Sequence, residues 1–398
     1  MLLVAACLLF GAIGAKLTDR AGMELPEWTG VGKTQSALEG RAYQKKPELA
    51  LSTLADGTFQ STTEKYLSDL VPARDSVLLA NAAVQRSAIA AANVPFAFPV
   101  YPSFFGSNYI VDPVHRAIYN VARTMNPTLE QGAHVICDSI ARSAEKHPEV
   151  QFVFNLVVDT YVSEHNPSYA YVSGGCTEEW LEEHVFERLG TSVEIVCDSI
   201  ESEEELYRDW FLTDHHWREA KFAQSYNNMA SLLGWPSFKE ADAVISVPEW
   251  YGASAREGLC LDYPDTFESA IGPFGNLTCS LDGKEVERGQ MTAVAQGKGL
   301  NDPLNVYGAY YGNPNNVAYK NSDNSAEGTC LFVEQSYGVP LEQLVANNYE
   351  TTICVAPLNT TVNTSLEELI AQHEPSTVVV QFGVYGLRIG STRSPNFF

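Results

Sequence analysis

The chain has few basic residues for its length. Its 398 residues include 25 Lys and Arg against 49 Asp and Glu, which gives a formal net charge of −24 at pH 7. A protein of this sign repels the phosphates of nucleic acids and anionic lipid head groups. We therefore expect no nucleic acid partner. Because 45% of the residues are apolar, the composition predicts a folded globular body.

The sequence also lacks the cysteine patterns of metal sites and of disulfide frameworks. It has eight cysteines and no Cys-x-x-Cys arrangement, and seven cysteines remain without Cys7 in the apolar start. An odd number argues against a fully paired framework. Cys260 and Cys279 flank a loop-rich segment and are the pair best suited to a disulfide. We expect no metal and no cofactor.

The apolar run at the start is too short to cross a bilayer comfortably. It covers 15 residues, Met1 to Ala15, whereas a spanning helix needs about 20. Lys16 follows it, and the small residues Gly14 and Ala15 are typical of a signal-peptidase site. We predict that residues 1–16 are a signal peptide or a truncated membrane anchor and that the protein is exported.

An acid and two imidazoles are present within five positions. Residues 213–217 read Thr-Asp-His-His-Trp. In this motif the carboxylate of Asp214 is placed to orient and charge-balance His216, as a general base requires when it activates a hydroxyl. The alternative is structural, because Asp often caps a helix and His often hydrogen-bonds to a neighbour.

A serine suited to this pair stands at the end of a short apolar run. Residues 330–338 read Cys-Leu-Phe-Val-Glu-Gln-Ser-Tyr-Gly, so the run ends abruptly at Ser336 and Gly338. A strand that ends in such a turn is typical of the position of a catalytic nucleophile. Ser336 is therefore the candidate nucleophile for the Asp214 and His216 pair.

Strands and helices alternate over most of the chain. Predicted strands are 150–158, 192–197, 329–333, 352–355 and 377–382, and predicted helices are 76–91, 129–146, 177–189, 218–233, 340–346 and 366–373. This alternation predicts a mainly parallel sheet covered on both faces. Such sheets carry their chemistry at the carboxyl ends of the strands, where Asp214 and Ser336 are expected.

The predicted organisation is one α/β domain over residues 17–398. Residues from about 30 to 110 form a decorated N-terminal arm. Residues from about 239 to 304 interrupt the alternation with scattered Gly, Pro, Asp and Cys, and we interpret them as an irregular insertion.

With these motifs in place, the chain resembles the bacterial DHHW family, itself similar to the SGNH hydrolase-like proteins of alginate and cell-wall polysaccharide acetylation. The resemblance rests on Glu39-x-Arg41, Asp56-Gly57, Glu64-x-Tyr66, Arg74-Asp75, residues 213–217, Tyr307-x-x-Tyr310-Tyr311 followed by Asn321, and Ser336-Tyr337. It implies an SGNH hydrolase-like fold with three α/β/α layers.

The resemblance also assigns roles to the site residues. Ser336 would be the nucleophile, His216 the base and Asp214 its orienting partner, while His215 would point elsewhere. Backbone N–H groups at Ser336 and Tyr337 would stabilise the oxyanion, helped by the Asn321 side chain. The further candidates for substrate contact are Tyr311, His215 and Trp217.

These roles imply an exported acyl esterase or O-acetyltransferase that acts on a cell-surface polysaccharide or another acyl-carrying substrate without a cofactor. A membrane-bound acyltransferase is an expected partner.

The alternative is a non-catalytic binding or scaffold protein of the same fold. It is favoured by Gln335, where the family usually has Asp, by Val339, where an Asn is common, and by Ala356-Pro357 at the end of the next strand. A metal-dependent hydrolase built on residues 214–216 is disfavoured, since no further ligands stand at a recognisable spacing.

Overall fold

A computed structural model describes residues 34–36, 38–171, 174–238, 244–270, 276–288, 300, 302–323, 325–389, 394 and 396–398. The predicted leader, residues 1–16, lies outside the described residues. No helix in these ranges is long and apolar enough to cross a membrane.

The strands and helices follow the predicted alternation from residue 127 onward. The strands are β1 (Gln35–Ser36), β2 (Arg41–Ala42), β3 (Tyr101–Pro102), β4 (Tyr109–Asp112), β5 (Ala117–Asn120), β6 (Gln151–Val157), β7 (Glu194–Asp198), β8 (Val244–Trp250), β9 (Asp265–Ala270), β10 (Leu277–Leu281), β11 (Lys284–Val286), β12 (Val317–Asn321), β13 (Thr329–Glu334), β14 (Thr351–Val355) and β15 (Thr377–Gly383). The α-helices are α1 (Leu51–Ala55), α2 (Thr58–Asp69), α3 (Arg74–Asn93), α4 (Pro127–Lys146), α5 (Glu178–Leu181), α6 (Glu187–Leu189), α7 (Glu203–Asp209), α8 (Glu219–Leu233), α9 (Ala253–Glu257), α10 (Val306–Tyr311), α11 (Glu342–Ala346) and α12 (Leu366–His373).

Local capping explains where two of these helices begin. Asn126 caps α4 by accepting hydrogen bonds from the backbone N–H groups of Thr128 and Leu129, and proline occupies the first turn. Ser365 and Glu368 form the predicted capping box of α12. A π-helical turn, Glu182–Phe186, joins α5 to α6.

One eight-stranded sheet has the order β11-β10-β12-β14-β13-β15-β6-β7. The strands from β14 to β7 run parallel to one another. Their carboxyl ends therefore meet at one edge of the sheet, which we call the carboxyl edge. β12, β10 and β11 extend the sheet in antiparallel pairings.

Alternate side chains of β13 pack into two cores on opposite faces of the sheet. Leu331 and Val333 pack with apolar residues of α4 and α12. Cys330 and Phe332 pack with residues of α8 such as Phe222. Because successive strand residues point to opposite faces, one strand supplies both cores. The sheet is covered on both faces, and the predicted α/β architecture is confirmed.

The segment expected to be an irregular insertion is more regular than predicted. Its residues 277–286 form β10 and β11 and join the central sheet, so the sheet is mixed rather than parallel at that side. The alternation of Leu277 and Cys279 with polar residues is too short to stand out among the surrounding loop residues. A three-stranded sheet, β3-β4-β5, begins at the end of the N-terminal arm and continues just beyond it, where no strand was predicted.

The predicted disulfide between Cys260 and Cys279 is wrong. Both thiols are free and buried. Cys260 packs in a small core with Val111, Ile118 and Ala255. Cys279 belongs to the large core on the α8 face of the sheet. The two cysteines lie in separate cores because β10 is part of the central sheet.

Candidate active site

The loop between α7 and α8 carries the acid and the two imidazoles. Trp210 and Trp217 pair as an isolated antiparallel bridge across this loop, and both indoles are buried. The backbone N–H of Phe211 donates to the carbonyl of His216 at 3.1 Å. The loop is thus closed at its base, which holds the residues between the tryptophans in one conformation.

Asp214 and His216 form the predicted pair. The imidazole Nδ1 lies 2.5 Å from Asp214 Oδ1, and the same oxygen accepts the backbone N–H of His216 at 3.0 Å. A carboxylate can only accept, so Nδ1 carries a proton and, in the neutral ring, Nε2 has a free lone pair. Nε2 is buried and has no hydrogen-bond partner among the described residues. The imidazole is therefore set up to accept a proton.

The second oxygen of Asp214 is held by a distant part of the chain. The backbone N–H of Ala253, at the start of α9, donates to Oδ2 at 2.6 Å. Burial raises the pKa of Asp214, but the attraction of His216 and His215 outweighs it, and the pKa lies well below its ordinary value. The carboxylate therefore stays ionised opposite the imidazole.

His215 has a different role. Its Nδ1 lies 3.7 Å from Asp214 Oδ1, beyond hydrogen-bond distance, and 21% of its side chain is exposed. Burial and then the neighbouring His216 lower the pKa of His215 to about 3, so its ring is neutral at pH 7. Its backbone carbonyl accepts the hydroxyl of Tyr337 at 2.5 Å.

The turn after β13, which carries Ser336, is linked to this imidazole through Tyr307 and Tyr337. The Tyr307 ring stacks on the His216 ring with centroids 4.3 Å apart and planes at 15°. The Tyr307 hydroxyl donates to the carbonyl of Ser336 at 3.3 Å. The Tyr337 ring lies 5.2 Å from the His216 ring. The structure thus brings Asp214, His216 and the Ser336 turn together, although no hydrogen bond joins Ser336 to Nε2 of His216 among the described residues.

Asn321 lies at the opposite edge of the sheet, so its expected help at the oxyanion site is wrong. β12 runs antiparallel to β14, which brings Lys320 opposite Thr351 at the start of β14. The Asn321 amide donates to the carbonyl of Asn347 at 3.0 Å and accepts from Asn276 at 2.6 Å. The antiparallel direction of β12, which the sequence pattern does not show, places Asn321 at this edge.

Two aromatic candidates are buried in the core. The Tyr311 hydroxyl donates to Ser269 Oγ at 2.7 Å, and the residue is 3% exposed. Trp217 is 1% exposed and packs edge-on against the Tyr337 ring. Neither ring is available to stack on a substrate, so both expectations of substrate contact are wrong.

Gly252 is a site residue that sequence reasoning missed. A Cβ on Gly252 would lie 2.4 Å from the Cβ of Asp214 and 2.5 Å from the carbonyl oxygen of Thr213. Its backbone is extended, at φ −70° and ψ −179°, so the space rather than the conformation requires glycine. It lies within the segment interpreted as an insertion, where no local pattern marks it.

Substituting Gly252→Ala is expected to disturb the acid. The added methyl group displaces Asp214, which we expect to lower the rate of any ester hydrolysis at this site by about 10²-fold and the free energy of unfolding by about 1–3 kcal/mol. Steady-state kinetics and thermal unfolding measure both. Gly106→Ala is the control for activity alone, because no atom lies within 4 Å of the added Cβ although its φ of +79° strains an alanine. Equal activity in the two variants would contradict the assigned role of Gly252.

Gln335 and a second buried acid meet at the carboxyl edge. Both border Gly383, where a Cβ would lie 2.6 Å from Asp159 Oδ2 and 3.1 Å from Gln335 Nε2. Burial raises the pKa of Asp159 to about 7, although the backbone N–H groups of Tyr385 and Tyr161 donate to its carboxyl group. An acid that follows β6 therefore lies beside the residue that directly precedes Ser336.

Asp214, His215 and His216 also form a group whose side chains could hold a metal ion together. Their ligand atoms lie within 4.8 Å of one another. Both oxygens of Asp214 already accept hydrogen bonds, and a catalytic zinc needs three protein ligands. Metal binding would therefore use all three residues and break the acid and imidazole pair.

Comparisons with known proteins identify the fold. The sequence matches no protein-family profile and no curated protein. A DHHW family protein from Eubacterium siraeum superposes with a TM-score of 0.52 at 13% identity, over 73% of this chain and 96% of that one. PatB1 from Bacillus cereus has a TM-score of 0.52 at 14% identity, over 71% of this chain and 95% of that one. PatB1 with a sulfonyl adduct gives the same score and identity, over 70% and 97%. The chain therefore shares the fold of a DHHW family protein and of PatB1, which confirms the resemblance that its motifs indicate.

Proposed function

We propose that the protein is an exported serine-type acyl esterase or O-acetyltransferase that acts on a cell-surface polysaccharide. The observation that supports the proposal is the pair of Asp214 and His216, whose Nε2 has no partner among the described residues and whose ring stacks on Tyr307, the residue bonded to the carbonyl of Ser336. A buried imidazole with one nitrogen held by a carboxylate and the other without a partner is the arrangement of a general base.

In the first half of the reaction, Ser336 Oγ attacks the carbonyl carbon of an acetyl ester while Nε2 of His216 accepts the hydroxyl proton. Asp214 stabilises the resulting imidazolium. Backbone N–H groups at Ser336 and Tyr337 are the proposed donors to the oxyanion. The carbon–oxygen bond to the alcohol then breaks, and His216 returns the proton to the leaving alkoxide, which leaves an acetylated Ser336.

In the second half, His216 deprotonates either water or a sugar hydroxyl, which attacks the acetyl group. The acetyl carbon leaves Ser336 Oγ, and the imidazolium protonates the serine. Water gives acetate and hence esterase activity, whereas a sugar hydroxyl gives O-acetyltransfer. The two activities differ only in the acceptor. The chemistry of these residues is complete without a cofactor.

The shared fold is consistent with such a nucleophile. PatB1 is known with a sulfonyl adduct, which makes sulfonyl and phosphonyl reagents sensible probes for this chain. The proposed membrane-bound acyltransferase partner would supply the acetyl donor on the outer face of the membrane.

Labelling by a fluorophosphonate probe tests the proposal directly. We expect phosphonylation of the peptide that contains Ser336 in the wild-type protein and a large loss of labelling in His216→Ala, because the base no longer activates the hydroxyl. Mass spectrometry of the digested protein locates the label. Absence of label from Ser336 in folded wild-type protein would overturn the proposal.

The alternative is a non-catalytic scaffold that binds polysaccharide. It is favoured by the missing hydrogen bond between Ser336 and Nε2 of His216, together with Gln335 and Val339 in place of the family's usual residues. Against it, catalytic hydrogen bonds are often long in the absence of substrate. An unlabelled Ser336 in a protein that still binds polysaccharide would establish this second function.

A further inference from the structure

A buried acid precedes the turn that carries Ser336, and the proposed mechanism does not use it. Glu334 is the last residue of β13, and its side chain is fully buried. Neither of its carboxyl oxygens has a hydrogen-bond partner among the described residues. A buried polar group in this state is costly, so its presence two residues before the proposed nucleophile calls for an explanation.

The carboxyl group of Glu334 packs against this turn. The turn covers residues 335–338 and is closed by a hydrogen bond from the backbone N–H of Gly338 to the carbonyl of Gln335 at 2.8 Å. A Cβ on Gly338 would lie 2.7 Å from Glu334 Oε2 and 3.0 Å from Gln381 Oε1. The φ of −78° at Gly338 suits any residue, so the close approach of these two side chains requires glycine there. Glu334 and Gln381 therefore support the turn by direct contact.

Gln381 is opposite Glu334 on the neighbouring strand, in the parallel pairing of β13 and β15. It is also fully buried, and neither its amide oxygen nor its amide nitrogen has a partner among the described residues. A protonated carboxyl group donates to an amide oxygen and accepts from an amide nitrogen, whereas a carboxylate only accepts. A protonated Glu334 therefore satisfies more of the buried polar atoms of this pair than an ionised one.

The balance of buried charge also favours a neutral Glu334. The backbone N–H of Glu342, on α11, donates to the carbonyl of Gly338 at 3.1 Å. The Glu342 carboxylate forms a salt bridge with Arg288 and accepts the Tyr319 hydroxyl at 2.6 Å. Arg288 is thus already paired, and a second buried carboxylate has no cation of its own. Burial, followed by the charge of Glu342 and a hydrogen bond to it, raises the pKa of Glu334 well above its ordinary value against the opposing charge of Arg288.

Two further titratable groups face Glu334 from other elements. They are Cys354 on β14 and Tyr307 on α10, and burial raises the pKa of each well above its ordinary value. Both are therefore neutral at neutral pH. An ionised Glu334 would place a negative charge beside the turn that none of these neighbours balances.

We infer that Glu334 is a positioning residue whose neutral carboxyl group supports the turn of Ser336 through Gly338. The backbone N–H groups of Ser336 and Tyr337, which are the proposed donors to the oxyanion, belong to the same turn. A neutral support leaves their electrostatic effect intact, whereas a carboxylate there opposes the negative charge that develops on the oxyanion. The neutral contact follows from the structure of the turn, and its effect on the rate rests on the proposed function.

Two substitutions of Glu334 test the support through the hydrolysis of p-nitrophenyl acetate. Glu334→Gln copies the shape and the hydrogen bonds of the neutral carboxyl group, so we expect it to keep the wild-type rate at neutral pH. Glu334→Met keeps the length of the side chain without its polar atoms, and we expect kcat to fall about tenfold or more because the turn shifts. Glu145→Gln, on the exposed face of α4, is the control and should keep the wild-type rate.

The protonation state of Glu334 is measured without turnover. The infrared difference spectrum of wild type minus Glu334→Gln should contain the carbonyl stretch of a protonated carboxyl group at neutral pH. The unfolded chain releases this proton near the ordinary pKa of glutamate, whereas the folded chain retains it. Wild type should therefore lose stability relative to Glu334→Gln as the pH rises above that value. Thermal unfolding of both proteins from about pH 4 to about pH 8 measures this difference.

Either of two results overturns the inference. One is an unfolding temperature that changes with pH in the same way in wild type and in Glu334→Gln. The other is a rate loss in folded Glu334→Gln as large as that in Glu334→Met. Both results are compatible with probe labelling of Ser336, in which case the proposed function stands without this support. A protonated Glu334 together with an unlabelled Ser336 would instead reject the acyl transfer and keep the neutral support of the turn.

Discussion

Ser336→Ala lowers the hydrolysis of p-nitrophenyl acetate by about 10³-fold or more if Ser336 is the nucleophile, the scale seen when a catalytic triad loses its nucleophile. The hydroxyl is the atom that forms the acetyl intermediate, and no neighbouring group in the turn replaces it. Tyr337 is buried with its hydroxyl bound to the carbonyl of His215, so it cannot attack in its place. The loss should appear in kcat/KM, measured by release of p-nitrophenol.

The fold should be unaffected, since Ser336 is only partly buried and the Tyr307 contact is to its backbone carbonyl. Ser87→Ala, on the exposed face of α3, is the matched control and should keep full activity. A folded Ser336→Ala protein with unchanged rate would exclude the acyl-enzyme mechanism and favour the scaffold function.

Replacing the two adjacent histidines should have unequal effects. His216→Ala is expected to remove about 10³-fold or more of the esterase rate, because it removes the proton acceptor. His215→Ala should change the rate little. Its ring does not reach Asp214 within hydrogen-bond distance, and its contact with Tyr337 uses the backbone carbonyl, which alanine retains.

The same two variants show whether His216 is the base, whether His215 is the base, or whether both histidines bind a metal ion. We expect His215→Ala to lower the unfolding temperature, since the ring packs against Tyr161, and to preserve probe labelling of Ser336. A larger rate loss in His215→Ala than in His216→Ala would make His215 the base. Equal and complete losses that added zinc restores would indicate the metal site formed by Asp214 and the two histidines.

Much of the fold follows from local pattern. The apolar runs at β6, β13, β14 and β15 and the capping box of α12 are short-range signals, and each was predicted close to its observed bounds. Strands β10, β11 and β12 were not predicted, because they are short and partly polar. Their pairing and not their own sequence makes them strands: β12 pairs with β14, β10 with β12 and β11 with β10. Residues 239–304 therefore supply more of the sheet than their composition suggests.

The sequence by itself determined the Asp214 and His216 pair, because both partners stand two residues apart in one loop and the carboxylate accepts both the ring and the backbone N–H of His216. The sequence also indicated that Ser336 lies in the turn after a buried strand. Tertiary structure alone decided what surrounds them. Ala253 reaches Asp214 from 39 positions away, Tyr307 links His216 to the Ser336 turn, and the antiparallel run of β12 carries Asn321 to the far edge. Local geometry fixes contacts within a turn, whereas the direction and order of strands fix which distant loops meet.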